Sequence, residues 1–93
     1  MRTISRTKRF KKDYRREAKG RHRDTLDTDL IAVVSLLAAN SPLPEKLRDH
    51  ALTGEWADHR DCHIRPDLAL IYRLPDAETL QLVRLGSHSE LSL

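Results

Sequence analysis

The chain has 93 residues, 39% of them hydrophobic and 33% charged, with a net charge of +3 and a single cysteine, Cys62. A chain of this size holds one domain around one modest core, and a lone cysteine excludes an internal disulfide and fits a reducing compartment. No apolar run approaches the ~20 residues of a membrane span, and no apolar segment follows the basic N-terminus as it would in a signal peptide. The expectation is therefore a single cytoplasmic domain over residues 1–93.

The charge is unevenly distributed. From Met1 to Arg23, eleven Lys and Arg residues face only Asp13 and Glu17, a local balance of +9, while the remainder of the chain carries −6. Such a block, with Lys8, Arg9, Lys11, Lys12, Arg15 and Arg16 at its centre, attracts phosphates at long range. A solvated helix face and a dock for an acidic partner protein are the alternatives.

"RTISR" (Arg2 to Arg6) reads as a short edge strand. Thr7 follows as a helix N-cap, its hydroxyl accepting from a free first-turn N–H. Phe10, Tyr14 and Ala18 then recur at four-residue intervals on one helical stripe, and Gly20 is placed to stop the helix in a left-handed conformation. A second helix begins near Asp24. Its apolar residues Leu26, Leu30, Val33, Val34 and Leu37 have helical spacing, and Asp24, Asp27 and Asp29 suit its N-terminal dipole. Asn40, Pro42 and Pro44 end it.

From Pro44 the period changes. Leu47 to Leu52 reads as an extended connector, Gly54 as a tight turn and Trp56 to Ile64 as a strand. In that strand Cys62 and Ile64 share one face, Asp61 and His63 the other. Arg65-Pro66-Asp67 makes a turn. Leu68 to Leu74 is almost continuously apolar and reads as a central strand. Pro75-Asp76-Ala77 turns again into Thr79 to Leu85, where Leu80, Leu82 and Arg84 alternate with Gln81, Val83 and Leu85. Gly86 releases the chain into its tail. A short strand, two helices and a three-stranded meander give an α+β domain: a helical hairpin packed on one face of a small twisted antiparallel sheet, with the other face free to form a shallow cleft.

Antiparallel order brings the end of one strand beside the start of the next. His63, Asp67 and His88 are expected to meet at one rim of the sheet, with His50 in reach from the connector. Imidazoles titrate near neutrality, so one can accept a proton while another donates one. RNA supplies its own nucleophile, the 2′-OH, and a cation such as Arg84 would stabilise charge on the phosphate. Each of these residues also has an ordinary structural reading: a surface histidine, a turn aspartate, an ion-paired arginine. A metal site is the rival reading, since the histidines, Asp67 and Cys62 have the right donor types, but Cys62 and His63 point to opposite faces and no CxxC or HxxxH spacing occurs. No cofactor is expected.

The stretches "DHALTGEWADHRDCHIRPDLALIYR" and "LVRLGSHSEL" together resemble the YafQ branch of the RelE toxin superfamily, and the basic N-terminal half fits as well. The resemblance implies a toxin of a type II toxin–antitoxin pair, a ribosome-dependent endoribonuclease that cuts mRNA in the A site, generally without a metal. It also implies a cognate antitoxin, with which the toxin forms a complex that represses its own operon. The family's functional positions fall on His50, His63, Asp67, Arg84 and His88. His88 takes the general acid's place, and His50, His63 and Asp67 the group that activates the 2′-OH and holds the phosphate. Two positions depart from the family pattern, because Leu68 and Ser92 stand where relatives often carry aromatics. A catalytically weakened module that binds antitoxin or RNA is the alternative. The gyrase-poisoning branch of the superfamily generally lacks this histidine set.

Overall fold

Extended residues at the N-terminus form β1 (Thr3–Arg6), followed by the helices α1 (Lys8–Glu17) and α2 (Leu26–Ala38) in a computed structural model that describes residues 1–93. Thr7 caps α1 as its residue type predicts, its hydroxyl accepting from the Phe10 N–H at 3.0 Å. Gly20 does not stop the helix in a left-handed conformation. The helix ends instead at Ala18 with right-handed backbone, and the next N–H groups bond three residues back, Lys19 to Arg16 and Gly20 to Glu17. α2 begins two residues later than Asp24 and closes with Asn40 at a left-handed φ of 57°. The Ser41 and Asn40 N–H groups there bond the Leu36 and Leu37 carbonyls, the pairing of a Schellman motif with asparagine in glycine's usual place.

The strands β2 (His50–Ala51), β3 (Arg60–Arg65), β4 (Leu68–Asp76) and β5 (Thr79–Gly86) complete one five-stranded sheet of order β1-β5-β4-β3-β2. The meander is antiparallel, but β1 lies parallel to β5, Thr3 opposite Thr79, so the sheet is mixed. The expected strand from Trp56 is shorter. Gly54 and Asp58 adopt left-handed backbone, Gly54–Trp56 forms a 3₁₀ turn, and pairing starts only at Arg60. The connector before it holds a 3₁₀ turn at Glu45–Leu47 and the strand β2. Pro75 and Asp76 belong to the end of β4 at a register shift rather than to the turn.

Strict alternation fails in β5. Leu82 pairs with Tyr72 and Arg84 with Ile71, leaving Val83 unmatched in a bulge. An extra residue reverses the faces beyond it. Leu85 therefore joins Leu80 and Leu82 in the helix-side core, and Val83 packs on the opposite face. That core includes Phe10, Leu26, Val34, Leu37, Cys62, Leu70 and Tyr72, all buried. Burying each such large side chain contributes roughly 1.5–3 kcal/mol. Burial pushes the Cys62 thiol pKa up to about 12, which fits a packing residue.

The second sheet face is not bare. Ser87 and Glu90 form a capping box that starts a one-turn helix, α3 (His88–Leu91), and Leu91 is buried against Ala69 and Ile71, with Leu52 and Trp56 alongside. No helix is long and apolar enough to cross a membrane.

Candidate active site

The rim is built where β2, β3 and the β5–α3 junction meet. His50 lies directly opposite Asp61 in the β2–β3 pair. His63 follows two residues later in β3 on the Asp61 face, and its neighbour across β4 is Ala69, which pairs in turn with Gly86 of β5. Gly86 and the capping box then deliver His88 as the first residue of α3. Three imidazole Nε2 atoms converge on one carboxylate oxygen, Asp61 Oδ2: His50 at 3.7 Å, His63 at 3.7 Å and His88 at 3.6 Å. The His63 and His88 rings meet edge to face with centroids 4.6 Å apart.

Asp61 is 1% exposed, and its Oδ1 is buried without a hydrogen-bond partner. A buried carboxylate oxygen left unpaired is costly, and such groups collect at functional sites. Burial lowers the pKa of His63, outweighing the pull of the Asp61 carboxylate, and the nearby His88, Arg48 and His50 act in the same direction as burial. His63 is therefore neutral at pH 7. His50 Nδ1 lies 2.6 Å from the Arg48 carbonyl. A carbonyl only accepts, so Nδ1 carries the proton, and the Nε2 of neutral His50 offers a lone pair toward the cluster.

Asp67 and Arg84 do not join this group. Asp67 accepts from Arg21 at 2.6 Å and pairs with His22 Nε2 at 2.9 Å, tying the β3–β4 turn to the segment between α1 and α2. Arg84 donates from Nε and Nη2 to Asp13 of α1 at 2.7 and 3.2 Å. Asp13 also accepts from the Leu85 N–H at 3.0 Å and from Arg16 at 3.1 Å. Burial alone would raise the Asp13 pKa, but the Arg84 and Leu85 hydrogen bonds and the Arg84 and Arg16 charges hold it below the ordinary carboxylate value. Arg16 is exposed but engaged, bonding Glu17, Glu90 and the Leu85 carbonyl, and Lys8, Arg9, Lys11, Lys12 and Arg15 also stand exposed on α1.

Two open clefts flank the cluster, of about 660 Å³ and about 560 Å³, and both are lined by Arg48, His63 and His88. Asp61, His50, Trp56 and Ser92 line the second. Ser92 therefore sits at a cleft wall, while Leu68 is buried in the helix-side core. Sequence reasoning placed Asp61 on the right face but gave it no role, because a strand aspartate beside a histidine carries no motif. Nor did it single out Arg48. The Ser87-x-x-Glu90 capping signature was readable.

Asp61, His63 and His88 each offer one donor atom, all within 4.8 Å of one another. Two imidazoles and a carboxylate suit zinc or copper. Cys62 is buried on the other face and takes no part in this set, whose carboxylate comes from Asp61.

The model of the YafQ family, bacterial toxins of type II toxin–antitoxin systems, matches residues 2–93. The mRNA interferase toxin YafQ of Escherichia coli (strain K12) is 41% identical over 75 residues, covering 80% of this chain and 78% of that protein. A copper-bound mutant toxin from Helicobacter pylori superposes with a TM-score of 0.85 at 38% identity, covering 98% of this chain and 99% of that one. YafQ in the Escherichia coli DinJ-YafQ toxin-antitoxin complex superposes with a TM-score of 0.80 at 37% identity, covering 97% and 96%. With the match running almost the full length of the sequence, the chain belongs to the YafQ family of type II toxin–antitoxin toxins.

Proposed function

We propose that this protein is a ribosome-dependent endoribonuclease that cuts mRNA in the A site by metal-independent acid–base catalysis through the 2′-OH. The observation that carries the reading is the convergence of the His50, His63 and His88 Nε2 atoms on Asp61 Oδ2. His50, with its proton on Nδ1, takes the 2′-OH proton on Nε2. The 2′-oxygen attacks phosphorus, the bond to the 5′-oxygen breaks, and His88 in its protonated form gives that oxygen a proton. The products are a 2′,3′-cyclic phosphate and a 5′-hydroxyl. Neutral His63 orients the phosphate, and Asp61 supplies the counter-charge that steadies an imidazolium.

The exposed cations of α1 face ribosomal RNA in this reading, and cytoplasmic ribosomes are the target. The partner is a cognate antitoxin, in a heterotetramer that reaches operator DNA through the antitoxin. An apolar groove of about 400 Å³ between α1 and α2, lined by Ile4, Phe10, Tyr14, Leu30, Ile31 and Val34, suits an amphipathic helix, and the basic face of α1 suits acidic residues on it.

The deciding experiment maps mRNA cleavage in a cell-free translation reaction by primer extension. His88→Ala should lower the cleavage rate by about 10²–10⁴ with its circular dichroism unchanged. A folded wild type that makes no cuts overturns the reading in favour of a weakened binding module.

The Asp61, His63 and His88 donor set supports a second reading, in which a transition ion occupies the site. An ion there would withdraw His63 and His88 from proton transfer. Cleavage should survive a chelator and fall on addition of zinc or copper; loss of activity with the chelator would overturn metal independence.

A further inference from the structure

Cleavage through the 2′-OH puts two negative charges on the phosphorane, and the cluster itself adds the carboxylate of Asp61. The site therefore needs a cation beside the imidazoles. Arg84, the cation expected from sequence, is committed to Asp13 at 2.7 Å. Arg60 is paired with Asp49 at 3.2 Å, and Arg65 with Asp29 at 2.7 Å. Lys46 lines only one of the two clefts. Arg48 lines both, together with His63 and His88, and its charge is among those that depress the His63 pKa. Its guanidinium has no carboxylate within ion-pair distance: the neighbouring Asp49 is engaged by Arg60 and by the Tyr72 hydroxyl at 2.5 Å.

The backbone singles out the same residue. Arg48 has a left-handed φ of 51°, a conformation that costs a residue with a side chain roughly 1–2 kcal/mol and that persists where the surroundings over-determine it. That bend lets the Arg48 carbonyl accept from His50 Nδ1 at 2.6 Å. One residue thus fixes the tautomer of one imidazole and lines both clefts beside two others.

We infer that Arg48 is the phosphate-binding cation of the site, contacting the non-bridging oxygens of the scissile phosphodiester. The assignment rests on the nuclease reading for its catalytic consequence, whereas phosphate binding is separately measurable. Arg48→Gly is the informative variant, because glycine adopts a positive φ without strain and keeps the carbonyl that holds His50. It should reduce single-turnover cleavage on programmed ribosomes by about 100-fold with the melting temperature unchanged, and Arg48→Lys should recover part of the loss. Cleavage by Arg48→Gly within threefold of wild type, or equal losses in the two variants, would overturn the assignment.

A second measurement separates this from the nuclease reading. A 2′-deoxy trinucleotide, which lacks the nucleophile, is titrated while the ring resonances of His63 and His88 are followed by NMR. Wild type should show saturable shifts that Arg48→Gly lacks. If wild type shows them and cuts no mRNA, the phosphate site stands and the nuclease reading falls. Identical titrations of the two proteins would remove Arg48 from the phosphate.

Discussion

Two aspartates are buried in this domain, and they are opposites. Asp13, at the junction of α1 with β5, receives hydrogen bonds from Arg84, Arg16 and the Leu85 N–H. Asp61, on β3, has one oxygen with no partner and the other among three imidazoles beyond hydrogen-bond distance. Both are desolvated, but only Asp13 is compensated. A satisfied buried charge holds a junction together, whereas an unsatisfied one is an available interaction that a reacting group can use.

The contrast breaks first at Asp13. Asp13→Ala leaves Arg84 without its carboxylate and should cost about 3–5 kcal/mol in urea unfolding. The double variant Asp13→Leu with Arg84→Met should regain most of that loss. Failure of the pair to recover would mean that the Leu85 N–H bond carries the junction. Asp61→Asn should behave differently. By removing an uncompensated charge it should leave stability unchanged or raise it by about 1 kcal/mol, while cleavage falls at least tenfold. A stability loss as large as that of Asp13→Ala would erase the distinction.

Titration sharpens the comparison with the smallest effect. The Asp13 pKa is depressed in the folded state, so its contribution is present above pH ~4, the unfolded aspartate value, and is lost as pH falls through the folded value. The His63 pKa is also depressed. Its contribution is complete above pH ~6.5 and is lost as pH falls from there to the folded value. Wild type should therefore lose a little stability in mildly acidic solution, and His63→Gln should abolish that slope while leaving the loss below pH ~4. A slope that survives in His63→Gln would assign it to another group.

Local chemistry was legible where one residue determines the outcome. Thr7 reads as a cap, the apolar run from Leu68 as a central strand, and Pro66-Asp67 as a turn, because each depends on its nearest neighbours. The meeting of His63 and His88 was readable from strand order, with His50 in reach from the connector; the short strand β2 that sets His50 opposite Asp61 was not. Asp67 was expected at the rim but is held away from it, and the partner of Arg84 was not foreseen, because Arg21 with His22 and Asp13 come from distant segments. The bulge at Val83 carries no glycine or proline to announce it, and it changes the faces of the residues that follow. The roles proposed for Asp61 and Arg48 rest on the Asp61 Oδ1 having no hydrogen-bond partner and the Arg48 guanidinium no ion-pair partner, a property of the whole fold.

The parallel pairing of β1 with β5 joins residues 3 and 79, and His88 follows β5 as the first residue of α3. Chains emerge from the ribosome N-terminus first, and contacts so distant in sequence form slowly. A nascent copy has neither its β1–β5 pairing nor its full histidine cluster until the chain through His88 has been made. The sheet and the histidine cluster are therefore completed by the same late stretch of chain, and neither can form before it.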